Sequence, residues 1–158
     1  MRARASSFGD FKCTHCHVQV SSMQLVSGVN NRNHCPYCLW SCHLDLYAAG
    51  DRLSACKAPM KPIGLTMKRD RNKYQREARG ELMLIHQCTE CKALSMNRIA
   101  ADDEAEMVVA IFQESIRLEG SIHTLCQEYG ITVLKTEDTK IVYTQLYGYQ
   151  AEVLVAWT

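Results

Sequence analysis

No run of apolar residues in this chain approaches the roughly 20 needed to cross a bilayer as a helix. The opening stretch "MRARASSFGDFKC" is basic but has no apolar segment of the kind a secretory signal carries. A soluble, cytoplasmic protein is therefore the expectation. Aromatic residues supply only 8% of the 158 positions, although hydrophobic residues reach 47%. That is enough for one ordinary core or two small ones. Enzyme signatures are scarce as well. There is no Gly-x-Ser-x-Gly elbow, phosphate-binding P-loop, dinucleotide GxGxxG or HExxH. The zinc deaminases need His-x-Glu ahead of Pro-Cys-x-x-Cys; here His34 is followed by Cys35 and Pro36. No catalytic residue is assigned, and a non-enzymatic protein is expected.

What the chain has in quantity is cysteine: nine, at 13, 16, 35, 38, 42, 56, 88, 91 and 126. The odd number, in a compartment that keeps thiols reduced, argues for metal rather than disulfides. Cys13-x2-Cys16 and Cys35-x2-Cys38, eighteen residues apart, fit a four-cysteine zinc site. Two thiolates three residues apart on a tight turn can occupy two corners of a tetrahedron, and a hairpin can return the other two. Pro36 and Tyr37 suit a rigid turn, and the βαβ surround of a redox dithiol is missing. Cys88-x2-Cys91 is a third such knuckle, and Cys56 is a candidate to join it, so two zinc ions are expected. The fourth ligand of this second site is open between His43, His86 and Cys42. His43 is preferred because it lies thirteen residues before Cys56, close enough to pair with it across a loop. His86, two residues before Cys88 on a strand, shares its face and is the alternative. His15, His17 and His34 flank knuckles and are read as surface groups or supports, and Cys126 as core or a spare thiol.

Chemistry changes along the chain. Residues 101–158 contain ten acids and three bases, whereas residues 1–100 contain fifteen bases and seven acids. The clustered cysteines all precede residue 92. The expected architecture is a small, β-rich zinc-ribbon-type domain with two zinc sites over 9–103, followed by an acidic α+β unit over 104–158. Residues 18–28 alternate as a hairpin would, and "ELMLIHQC" reads as a strand. After "NRIAADD", with Asp102 or Asp103 as cap, Met107, Val108, Ile111, Phe112 and Ile116 recur at helical spacing up to Gly120. "SIHTLCQEYG" predicts a second short helix. "ITVLKT", "KIVYTQLYG" and "QAEVLVAWT" are rich in Val, Ile, Tyr and Thr and predict antiparallel strands.

Three segments, "RNHCPYCLWSCHLD" (32–45), "GDRLSACKAPMKPI" (50–63) and "IHQCTECKALSMNRIAADD" (85–103), resemble the RNHCP-domain family, bacterial zinc-ribbon-like proteins. The resemblance covers about residues 9–103. It implies metal binding at the cysteine and histidine positions above and does not supply an activity. A glycine is usual after a ribbon knuckle, but here His17, Leu39 and Lys92 stand there, and Ala58 stands two residues after Cys56 where glycine is expected.

Residues 57–79 carry eight bases against two acids. Lys68, Arg69, Arg71, Lys73, Arg76 and Arg79 surround Tyr74, a composition suited to phosphates and a stacked base. Arg32, Arg52 and Arg98, with Asn31, Asn33 and Asn97, are further candidates for phosphate or base contacts. RNA or the ribosome is the expected partner, with no membrane and no small-molecule substrate evident. A zinc-stabilised protein-interaction module is the alternative. A metal-dependent hydrolase or nuclease built on Asp45, Asp51, Asp102 and Asp103 is the second alternative.

Overall fold

The structure is a computed structural model and describes residues 9–30, 32–47, 51–69, 80–117 and 120–148. Its centre is an antiparallel four-stranded sheet in the order β3-β4-β5-β6. The strands are β3 (Ser41–Cys42), β4 (Pro59–Arg69), β5 (Gly80–Cys88) and β6 (Leu94–Arg98). A separate two-stranded ribbon, β1 (Phe11–Lys12) with β2 (Gln19–Val20), precedes it. Helix α1 (Gln24–Ser27) follows β2; helices α2 (Ala105–Arg117), α3 (Ser121–Glu128) and α4 (Thr139–Tyr147) follow the sheet.

β5 is aliphatic throughout its middle because both faces are covered. Successive side chains of a strand point to opposite faces. Leu82 and Leu84 join Leu65 of β4 against Val108, Ile111 and Phe112 of α2 and Val142 of α4. Ile85, with Ile63, meets Cys126 of α3, Ile131 and Val133. Burying each such side chain contributes roughly 1.5–3 kcal/mol. The β4–β5 register shifts between Pro62 and Gly64, where proline has no N–H to give to the ladder. A Cβ on Gly64 would come within 3.3 Å of the Ser115 Cβ, so glycine lets α2 lie close on the strand.

Two sequence expectations fail. The C-terminal strands are absent among the described residues: the strands come first and the helices after them. Residues 131–135 run without regular structure beside β4, held by Leu134 N–H to Leu65 O at 2.8 Å and Thr66 Oγ1 to Thr132 O at 2.8 Å. Residues 140–148, read as a strand, fall almost wholly within α4 (Thr139–Tyr147). Their β-branched and aromatic content misleads, since Val142, Tyr143 and Leu146 fall on one helical stripe that the core buries. The third expected strand, 150–158, lies outside the described residues. The 18–28 hairpin is also replaced: β2 ends at Val20, and α1 closes at Gly28 with φ +69°. Ser27 is buried there, and its carbonyl accepts the Ala101 N–H at 2.6 Å. The strand at 80–88 and the helices at 105–117 and 121–128 match the expectation.

Among the described residues, no helix is long and apolar enough to cross a membrane.

Candidate metal centres

Two clusters hold eight of the metal-ligand candidates. In the first, Cys13, Cys16, Cys35 and Cys38 converge; in the second, His43, Cys56, Cys88 and Cys91. Within each, all ligand atoms lie within 4.8 Å of one another. These two are the only such groups of His, Cys, Asp or Glu among the described residues.

Each knuckle is built the same way. The N–H of its first cysteine donates to the carbonyl five residues on, at 2.9 Å in all three cases: Cys13 to Val18, Cys35 to Trp40, Cys88 to Ala93. The residue after the second cysteine is left-handed, with φ +64° at His17, +62° at Leu39 and +64° at Lys92. The positions where glycine is usual therefore keep the conformation glycine favours, at roughly 1–3 kcal/mol each for a residue with a side chain. At the lone Cys56 the left-handed residue is Lys57, φ +50°, not Ala58. There the pairing is between His43 and Ala58, with His43 N–H to Ala58 O at 2.9 Å and Lys57 N–H to His43 O at 3.1 Å.

The donor geometry fits a tetrahedral ion. Cys13 and Cys38 sulfurs lie 3.5 Å apart, Cys16 and Cys35 3.6 Å, and Cys56 and Cys88 3.6 Å. His43 turns Nδ1 toward Cys91 Sγ at 3.4 Å. A zinc ion with sulfurs at about 2.3 Å spaces them by roughly 3.8 Å, whereas a disulfide requires about 2.05 Å. All nine cysteines are free thiols.

Electrostatics points the same way. Burial opposes the thiolate at Cys13, but the N–H groups of Cys16 and His15 outweigh it and lower its pKa. At Cys88 burial is likewise overcome by the N–H groups of Cys91 and Glu90, bringing the thiol down to about 6. Cys35 and Cys38 go up, through burial and through neighbouring sulfurs that repel a second negative charge. Such a cluster accepts a third and fourth thiolate only with a cation at its centre. Four sulfurs at one site, and three sulfurs with an imidazole at the other, suit zinc and leave no open coordination position.

The alternatives for the eighth ligand are placed elsewhere. His86 is fully buried, with Nε2 donating to Leu39 O at 2.7 Å and Nδ1 accepting from Asn97 Nδ2 at 2.8 Å. Both ring nitrogens are used, and burial pushes its pKa down to about 3, so it is a neutral core residue. Cys42 donates to Lys57 O at 3.2 Å. His15 stacks on Trp40, ring centres 4.2 Å apart.

Several surface expectations are corrected. Arg32 is not a phosphate contact: its side chain is fully buried, bonded to Asp102 at 2.7 Å and facing Asp103 at 3.4 Å. His34 Nε2 lies 2.8 Å from Asp103 Oδ2. That carboxylate also accepts the Ala100 N–H at 2.8 Å instead of capping α2. Arg98 pairs with Glu81 at 2.6 Å, and Arg52 with Asp45 at 3.7 Å. Asp51 accepts from the N–H groups of Leu46, Tyr47 and Leu53, and Asp45 from that of Arg52. The four acids considered for a hydrolytic metal thus hold the fold's own groups. Lys68 is exposed near the end of β4, where Arg69 is the last residue. Arg71, Lys73, Tyr74, Arg76 and Arg79 lie outside the described residues, as does Asn31.

The family model described as the RNHCP domain matches residues 8–109. The chain belongs to the RNHCP-domain family. No curated protein and no solved structure matches it. The geometry gives the RNHCP string a physical meaning. Arg32 and His34 reach seventy residues along the chain to Asp102 and Asp103, Cys35 is a cluster member, and Pro36 O accepts the Glu104 N–H at 2.9 Å. The signature ties the first cysteine cluster to the loop that leads into α2. Sequence reasoning missed this link, although both ends stand within the segments that carry the RNHCP resemblance.

Proposed function

We propose that this RNHCP protein is a non-enzymatic zinc protein that binds nucleic acid, RNA or the ribosome, through a basic face. Zinc would sit at both clusters and fix the sheet's frame. The observation that carries the reading is where the basic run begins and ends. β4 and β5 form the longest hairpin, and Arg69 pairs with Gly80 at its end. The run from Lys68 to Arg79 therefore leaves and rejoins the sheet at one point, with six bases against two acids. That point is the end of β4 opposite Pro59, beside which the second cluster lies. The partner stays outside the cell's membranes in this reading, which keeps the protein cytoplasmic.

The test replaces Arg69, Arg71, Lys73 and Arg76 by Ala and measures RNA affinity against salt. Each lost phosphate contact flattens the log–log slope by roughly 0.7–0.9, with zinc content unchanged because no ligand is touched. An unaltered slope and affinity would sink the basic-face reading. A protein-interaction module is the runner-up, favoured by exposed Leu25, Tyr47 and Leu53.

A further inference from the structure

β6 is the last strand of the sheet, and among the described residues only β5 pairs with it. The register shows which of its backbone groups stay open. Cys88 N–H donates to Ala93 O at 2.9 Å, so that pair is hydrogen-bonded. Bonded and unbonded pairs alternate along an antiparallel ladder, which makes His86–Ser95 and Leu84–Asn97 bonded as well. The N–H and C=O groups of Leu94, Met96 and Arg98 therefore point away from β5. None of these groups has a partner among the described residues. An open strand edge of this kind is a template for a further strand.

A cleft of about 530 Å³ lies along this edge. Leu94, Ser95, Met96 and Asn97 all line it, although consecutive residues of a strand point to opposite faces. The cleft thus wraps the rim of β6 rather than one face. Leu46 and Tyr47, from the loop after β3, and Tyr129, at the end of α3, supply further walls. Met96, Tyr47 and Tyr129 are 46%, 85% and 53% exposed, so apolar surface is left uncovered beside the open backbone groups. No Lys or Arg lines the cleft, and its one acid, Asp45, is paired with Arg52.

We propose that residues 150–158, "QAEVLVAWT", cover this edge by adding to the sheet as a fifth strand, antiparallel to β6. The chain is in position to do so. Gln145 Nε2 in the last turn of α4 donates to Gly80 O at 3.0 Å, and Leu146 lines a second cleft with Arg98 and Ile99. Gly148, with φ +75°, turns the chain out of the helix. A segment that starts there and runs back from Arg98 toward Leu94 is antiparallel to β6. The five residues of β6 span about 17 Å at roughly 3.3 Å each. Residues 152–156 match that span, with 149–151 left to bridge from α4. Glu152 is the segment's one charge, and Val153, Val155 and Trp157 favour strands. The pairing uses none of residues 68–79, so it stands or falls apart from the basic-face reading.

The experiment follows the full, zinc-loaded chain by amide hydrogen exchange and by cross-strand nuclear Overhauser contacts. Protected Leu94 and Met96 amides are expected, with contacts from Met96 to residues 152–156 of the same chain. Neighbouring residues of a strand send their N–H groups to opposite sides, and an edge strand tolerates proline only where that group faces water. Of Val153→Pro and Leu154→Pro, one should therefore speed exchange at Met96 about tenfold and the other leave it nearly unchanged. The Leu84 amide, inside the sheet, should hold in both. Fast exchange at Leu94 and Met96 in the wild type, or no contact between Met96 and residues 152–156, overturns the proposal. Contacts that arise only between differently labelled copies in a mixed sample give the edge to a second chain's tail and overturn it equally.

Discussion

His86 Nε2 donates its proton to the carbonyl of Leu39, 2.7 Å away. The bond joins the middle of β5 to the knuckle of Cys35 and Cys38, and it separates the two histidines that compete as the eighth ligand. His43→Ala should leave one zinc ion per chain, measured by elemental analysis. His86→Ala should keep both ions but lose two buried hydrogen bonds and open a cavity, costing about 3 kcal/mol in a denaturant titration. Loss of metal in the His86 variant with full loading in the His43 variant would reverse the assignment.

Chelation should act unevenly. Around the first cluster the buried residues are Cys13, Val20 and Cys35, with Phe11, Cys16 and Cys38 packed against them. Without metal little remains to hold β1 to β2, because ligation and folding are coupled in so small a core. The β4–β5 pair, in contrast, rests on α2 and α4 through Leu65, Leu84 and Phe112. Hydrogen exchange after removal of about two zinc ions per chain is expected to show lost protection at Cys13 and Cys35 and retained protection at Leu84. Uniform loss, or none, would contradict this picture.

Removing the Asp103 carboxylate strands two buried groups at once. Asp103→Ala leaves Arg32 short of a counter-charge and His34 without its partner, and breaking such buried pairs costs about 3–5 kcal/mol. Asp103→Asn keeps an oxygen for Ala100 N–H and should cost less. Equal denaturation midpoints for wild type and the alanine variant would show that the network adds nothing to stability.

The left-handed residues should respond in opposite ways to glycine. Lys92 is exposed, so Lys92→Gly relieves strain and adds unfolded-state entropy, for a net change under about 1 kcal/mol. Leu39 has the same backbone, but its side chain is fully buried beside Leu65 and Leu84. Leu39→Gly should therefore cost about 3 kcal/mol. Stability measured on both variants with zinc bound checks the contrast.

The parts of this protein legible in its sequence are those set by short spacing. A Cys-x2-Cys turn closes on itself, so the knuckles could be placed by counting, and α2 showed its apolar stripe. His43 was preferred because it and Cys56 are close along the chain. Contacts between distant segments were not legible. Arg32 looked like a surface cation because nothing nearby in the sequence is its partner; the partner is Asp102, seventy residues on. α4 was read as a strand because composition speaks for β structure there, while the core that selects a helix is assembled from β4, β5 and α2.

The ligands of the two clusters follow one another along the chain without interleaving: 13, 16, 35 and 38, then 43, 56, 88 and 91. During synthesis the first cluster is complete once Cys38 has emerged, while the second waits for Cys91. At about 5–20 residues per second that interval is roughly 3–10 s. Throughout it Arg32 and His34 stand without the aspartates that later bury them. The nascent chain thus passes through a stage with one complete four-cysteine cluster and two cationic or polar side chains still open to water. The emergence of Asp102 and Asp103 is what ends that stage.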